Sequence, residues 1–238
     1  MNLNNLSIAT ITWARNEKEE YLLRKSMEQL AKLSIPVFIT DGGSGEAFIA
    51  FIKTFSNFTI LKPAEKGVWA QVKTSLEAAH NFGSDFIFYT EPDKYDFFKQ
   101  LSIVLNEVTV DKQTGIVLAA RSQTGFATFP AFQQMTETSI NNCCKEIIGK
   151  QADYTYGPFI LNRSLISYLL TIAEDIGWGW RSLSFGIAHR LGFTIQAIEK
   201  YFKCPEEQRN DNPEERVYRI KQLQQHLQGI LLSKSIIP

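Results

Sequence analysis

Apolar positions in this chain alternate between two rhythms. Leu6 to Trp13 is a run of apolar and β-branched residues, the pattern of a buried strand. Glu17 to Leu33 changes to helical spacing through Tyr21, Leu22, Met27 and Leu30. Pro36 to Thr40 predicts a second strand, stopped by Asp41-Gly42-Gly43-Ser44-Gly45. Glu46 to Phe55 predicts a helix, Phe58 to Leu61 a short strand, and Lys66 to Phe82 a helix ended by Gly83. Asp85 to Tyr89 is a strand leading into Glu91-Pro92-Asp93. Tyr95 to Val108 follows as a helix and Gly115 to Ala120 as a strand. Strands alternating with helices of this length imply right-handed βαβ units. The expected fold is α/β, a three-layer α/β/α sandwich around a mostly parallel sheet.

Beyond Arg121 the alternation is less regular. Gln123 to Gln134 carries loop chemistry, including Gly125 and Pro130, and Gln134 to Ile148 predicts a helix. Tyr156 to Leu161 predicts a strand, Ser164 to Ala173 a helix, and Glu174 to Trp180 an aromatic loop. Arg181 to Leu191 reads as a helix, Phe193 to Ile198 as a strand, and Cys204 to Glu215 as a polar loop. Val217, Ile220, Leu223, Leu227 and Ile230 then recur every three or four residues, marking a final amphipathic helix. No internal repeat is visible. The expected organisation is one domain over residues 1–238, with a ligand-binding half at 1–120 and a second half at 121–238.

Composition narrows the partners. Lys plus Arg (25) equals Asp plus Glu (25), whereas proteins that grip nucleic acid by its phosphates carry a basic excess. A nucleic-acid partner is therefore not expected, and any bound phosphate belongs to a small ligand. Three cysteines, two of them adjacent (Cys143 and Cys144) and the third Cys204, fit a reducing compartment better than a disulfide framework. Met1 to Ser7 lacks the basic start and apolar run of a secretory leader. No apolar stretch approaches the roughly 20 residues that span a bilayer. These features predict a cytoplasmic protein without a transmembrane segment.

Ligands of an open parallel sheet bind beyond the carboxyl ends of its strands. Here those ends are Trp13 to Glu17, Asp41 to Gly45, Pro63 to Gly67 and Thr90 to Asp93. The first has no glycine, so a G-x-G-x-x-G dinucleotide site is excluded, and no G-x-x-x-x-G-K-[ST] exists for a P-loop. Asp41 can accept hydrogen bonds from a base or ribose; its alternative is a capped tight turn. Glu91 and Asp93 emerge from a strand on either side of a proline, which fixes its own φ and biases Glu91 toward extended backbone. Two hard-oxygen ligands so placed can hold Mg²⁺ or Mn²⁺ against a diphosphate. The competing role for Asp93 is N-cap of the next helix.

Thr12 to Glu17, Asp41, Lys66-Gly67 and Glu91-Pro92-Asp93 together resemble the GT-A fold of glycosyltransferases, family-2-type enzymes above all. Residues 6 to 120 carry the resemblance; the rest follows loosely. It implies a nucleoside-diphosphate sugar as donor, transfer of a hexose to a small or lipid-linked acceptor, and a divalent cation at Glu91 and Asp93. By the same resemblance Thr12, Arg15, Asn16, Glu17 and Asp41 hold the nucleoside, and Lys66 and Gly67 lie near the diphosphate. One departure is Glu91, where the family's D-x-D motif has aspartate; the carboxylate is kept but lengthened. In the second half, Glu174-Asp175 matches the acid pair of the acceptor side, with Asp175 as base. Trp178 and Trp180, set among glycines, are expected to contact a sugar; their alternatives are core or interface. His189 is the nearest candidate for an extra metal ligand, while His80 and His226 read as ordinary helix histidines. Gln208 and Arg209 in the polar loop could close over an anion or simply be solvated. Two other readings stand beside this one. A sugar nucleotidyltransferase shares the fold but begins with a G-x-G-T-R-like loop, absent here; a GT-A-like binding module without turnover is the other.

Overall fold

The computed structural model describes residues 5–235. In chain order the elements are β1 (Leu6–Thr12), α1 (Glu17–Ala31), β2 (Val37–Asp41), α2 (Glu46–Ile52), β3 (Phe58–Leu61), α3 (Val68–Phe82), β4 (Phe86–Thr90), α4 (Tyr95–Phe98), α5 (Leu101–Glu107) and β5 (Thr114–Arg121). They continue as α6 (Gln123–Phe126), α7 (Ala131–Ile148), β6 (Phe159–Asn162), α8 (Ile166–Leu170), α9 (Gly179–Arg190), β7 (Thr194–Lys200) and α10 (Pro213–Ser235), with short 3₁₀ turns at Arg163–Leu165 and Glu206–Gln208.

The chain divides into two compact units. The first holds the residues up to Thr109 together with Pro158–Asp175; the second holds Val110–Gly157 and the residues from Ile176 onward. The chain thus crosses between units three times.

In the first unit the strand order is β3-β2-β1-β4-β6. β1 pairs in parallel with β2 and β4, β2 pairs in parallel with β3, and β6 runs antiparallel to β4. Every residue of β1, β2 and β4 is buried, as expected for strands covered on both faces. The chain steps outward from β1 to β3, then returns across β1 to begin β4. The strand order therefore reverses at β1/β4, and the loops after these two strands flank the crevice where such sheets bind ligands.

In the second unit β5 and β7 pair in parallel, with an irregularity between Thr114 and Ile116. Helix α10 crosses α9 at Gly179 and Gly229, so closely that a Cβ on either glycine would collide with backbone of the other helix. Arg121, at the end of β5, is buried in an ion cluster. Its Nη2 lies 2.6 Å from Glu137 Oε2 and its Nε 2.7 Å from Asp153 Oδ2, while Nη2 also donates to Thr155 Oγ1 at 2.9 Å. The rings of Phe126 and Phe129 lie 4.6 and 4.4 Å from its guanidinium carbon.

The structure departs from the pattern-based elements most plainly in the following places. The helix expected over Tyr95 to Val108 is two helices, α4 and α5, broken at Lys99 and Gln100. Gln100 takes φ −103°, ψ −3° and its N–H bonds back only to Phe97 O. That break accompanies burial of Phe97 and Phe98 and then of Leu101, Val104 and Leu105. The expected loop Gln123 to Gln134 contains α6, with Ser122 Oγ accepting from Gly125 N, and the start of α7. The polar loop after Cys204 gives way to α10 already at Pro213. Trp180, expected in a loop, lies inside α9. No helix among the described residues is long and apolar enough to cross a membrane.

Candidate active site

At the carboxyl end of β1, Thr12 is buried and donates through Oγ1 to Asp41 Oδ2 (2.9 Å). Asp41 accepts three further bonds from its own turn. Gly43 N and Ser44 N reach Oδ1 at 2.8 and 2.7 Å, and Ser44 Oγ reaches Oδ2 at 2.6 Å. A carboxylate offers about four acceptor sites, so the protein itself fills those of Asp41. The turn reading of Asp41-Gly42-Gly43 is thus the one the geometry displays. A ligand donor would have to displace Thr12 or Ser44.

Ser44 also accepts from Ala14 N at 2.7 Å, which ties the first loop to the second. Asn16 caps α1 by accepting from Glu19 N at 3.0 Å. Arg15 donates to the Glu19 carboxylate through Nε at 3.0 Å and Nη2 at 2.7 Å, and Glu17 is the exposed first residue of α1. Burial opposes the charge on Glu19, but these Arg15 bonds prevail and hold its carboxyl below the usual value. Four of the five residues expected to hold a nucleoside therefore have visible work in shaping the two loops.

Trp13, which the sequence reading passed over, lies between them. Its side chain is half exposed, and its indole nitrogen is 4.0 Å from where a Cβ on Gly43 would stand. The signal was present: a strand that ends in tryptophan at a carboxyl edge has no core reason to place an indole there.

Glu91 is buried and Asp93 half-exposed at the end of β4. Lys94 Nζ sits 3.4 Å from Asp93. The N-cap position of α4 is Lys94, one residue beyond Asp93. Upstream, Thr10 Oγ1 donates to Thr90 O at 2.7 Å, fastening β4 to β1 just before the turn.

Lys66 is exposed, and Gly67 precedes α3 with φ 126° and ψ 160°, a conformation essentially confined to glycine. Against it stands Asp175. A Cβ on Gly67 would lie 2.8 Å from Asp175 Oδ2. The fold thus brings the expected base onto the start of α3, beside Lys66-Gly67.

No protein-family model and no curated protein sequence matches the chain. Solved structures do match. Glucosyl-3-phosphoglycerate synthase from Mycobacterium tuberculosis in complex with UDP superposes with a TM-score of 0.67 at 14% identity, over 98% of this chain and 81% of that one. The same enzyme with Mn²⁺, UDP-glucose and phosphoglyceric acid gives 0.65 at 15%, and with Mn²⁺, UDP and glucosyl-3-phosphoglycerate 0.64 at 13%, with the same coverage. The chain has a GT-A fold.

The remaining expected residues of this GT-A chain belong to its second unit. Trp178 is half-buried before α9, with its Nε1 donating to Tyr218 Oη at 2.9 Å and its backbone N to Gln225 Oε1 at 3.2 Å. Trp180 has no exposed surface. Its expected sugar contact is corrected on that ground, because a fully buried indole presents no face to a ligand. His189 is exposed on α9, and no group of three or more His, Cys, Asp or Glu suited to a metal exists among the described residues. His226 is buried, with Nδ1 2.6 Å from Ser182 Oγ; burial, and then the charge of Arg181, pushes its pKa down to about 3.

Proposed function

We propose that this chain is a glycosyltransferase that moves a hexosyl group from a nucleoside-diphosphate sugar to an acceptor hydroxyl. The observation that carries this reading is the two-carboxylate turn Glu91-Pro92-Asp93 at the end of β4. It lies at the reversal of strand order, beside a first loop that presents Trp13. The glucosyl-3-phosphoglycerate synthase complexes hold UDP with Mn²⁺ or Mg²⁺, which makes a UDP-sugar the first donor to test.

The donor set fits a small hard cation. Two carboxylates in one turn are what Mg²⁺ or Mn²⁺ takes from a protein when diphosphate oxygens complete its shell. Glu91 and Asp93 would hold the ion, which would supply charge neutralisation for the departing nucleoside diphosphate. Lys94, already near Asp93, moderates the repulsion between the two acids before ligand arrives. Trp13 offers its indole face to the base. Thr12, Asp41 and Ser44 hold the loop that carries it. Lys66 supplies a cation for the diphosphate. Asp175, pressed against Gly67, accepts the acceptor hydroxyl's proton in an inverting transfer.

A thermal-shift panel of UDP-, GDP- and dTDP-sugars with and without Mn²⁺ tests the donor site. A donor at about 100 times its Kd stabilises by about 2.7 kcal/mol. Asp93→Ala is expected to keep the fold and lose the Mn²⁺-dependent part of the shift. Absence of any shift with all donors overturns the reading, and an unchanged shift in Asp93→Ala overturns the metal site.

A further inference from the structure

Two side chains of α3 close on one backbone carbonyl. Trp69 and Lys73 stand four residues apart, so they leave the same face of the helix one turn from each other. Trp69 Nε1 donates to Ile172 O at 3.4 Å, and Lys73 Nζ donates to the same oxygen at 2.8 Å. The indole is buried, and packing fixes where it stands. The ammonium makes the shorter bond, and a charged donor makes the stronger one. Ile172 itself follows α8, where its N–H bonds back to Leu169 O at 3.1 Å. Beyond it Ala173, Glu174 and Asp175 are exposed, so burial does not set their course. Three residues reach at most about 11 Å. With Ile172 O held on the first two turns of α3, Asp175 stays beside the start of that helix, where its carboxylate meets Gly67.

We propose that Lys73 is the positioning residue of Asp175. This role rests on the transferase reading, in which Asp175 takes the acceptor's proton. Lys73 acts through Ile172: it fixes the carbonyl, and the carbonyl limits where the carboxylate three residues on can stand. With water as acceptor, the water oxygen bonds the anomeric carbon, its proton passes to Asp175, and UDP leaves with the electrons of the broken bond. That step needs the carboxylate in line with the attacking oxygen, and a misplacement of about 1 Å costs about a hundredfold in rate. An exposed segment anchored by α8 alone would sample several placements. Two bonds from a rigid helix remove that freedom before ligand arrives.

The test compares Lys73→Met with Lys73→Arg in the full chain. Methionine keeps an apolar stem without a donor, and arginine restores a charged donor. UDP release from UDP-glucose with Mn²⁺ gives kcat, and calorimetric titration gives the Kd for UDP. Native cleavage after Glu174 by a glutamyl endopeptidase reports how firmly the segment is held. Lys73→Met is expected to lower kcat by about ten- to a hundredfold and to speed cleavage at Glu174. Its Kd for UDP should stay within about twofold of wild type. Lys73→Arg should recover both kcat and resistance to cleavage. Added to Asp175→Ala, Lys73→Met should lower kcat no further. Unchanged cleavage or unchanged kcat in Lys73→Met overturns the proposal. So does a fall in kcat that is repeated in the Asp175→Ala background. Wild-type protein that binds no UDP sinks the transferase reading as well, whereas these results in a protein that binds UDP sink the positioning role alone.

Discussion

Gly67→Ala separates two effects at the point where α3 and Asp175 meet. The backbone there stands at φ 126°, ψ 160°. A residue with a Cβ in this region costs roughly 1–3 kcal/mol. The new methyl would also lie 2.8 Å from Asp175 Oδ2 and 3.4 Å from its Cγ, nearer than an ordinary van der Waals contact. Asp175 is exposed and its carboxylate ends a short side chain, so it is the group that gives way to the new methyl. The stability loss should therefore come from the backbone and the functional loss from the displaced carboxylate. Urea unfolding should show a loss of about 1–3 kcal/mol, equivalent to a melting temperature lowered by roughly 2–12 °C. An Asp175→Ala background removes the contact but not the backbone cost, so a loss of about 1–3 kcal/mol should remain there. Under the proposed role of Asp175, kcat should fall in Gly67→Ala but not fall further when Gly67→Ala is added to Asp175→Ala. Two results would refute this reasoning: a wild-type melting temperature for Gly67→Ala, or an equal drop in kcat in both backgrounds.

Other perturbations probe the second unit. Arg121→Met leaves Glu137 and Asp153 buried without their shared cation and should cost about 3–5 kcal/mol in urea unfolding; a loss below about 1 kcal/mol would show that the cluster relaxes into water. His226 has its pKa pushed down to about 3 by burial and then by Arg181, so its contribution to stability is complete above its unfolded value of about 6.5. It is lost as the pH falls from there toward 3, and His226→Gln should flatten denaturation midpoints compared at about pH 7.5 and 4.5. Asp153 acts in a lower window. Burial works against its charge, but Arg121 prevails and holds its pKa at about 2, so its contribution disappears only between about pH 4 and 2. Arg121→Met should abolish that second limb while leaving the His226 limb in place.

β1, β2 and β4 were legible because burial on both faces leaves uninterrupted apolar runs, and β3, only half-buried at the end of the strand order, also occupies the predicted residues without change. The antiparallel direction of β6 was not legible, since three buried apolar residues read the same in either direction. Nor was the fate of Trp180. Glycines on one side and a polar stretch on the other suggest an open loop, and only the packing of α9 encloses the indole.

Sequence by itself determined which residue types stand at which strand ends: a tryptophan after β1, an aspartate closing β2, two acids about a proline after β4. These follow from one-dimensional spacing, because a strand's length and end are written in its own residues. Tertiary structure decided what each of them is bonded to. Asp41 takes bonds from Thr12, 29 residues away, as well as from Ser44, and so braces two loops. Arg121 finds Asp153 across 32 residues and becomes a buried ion cluster that no local pattern announces. Asp175 reaches Gly67 only because the chain returns to the first unit at Pro158. Hydrogen bonds and ion pairs of this reach depend on where the sheet turns the chain back, and that order of strands is a property of the packed molecule.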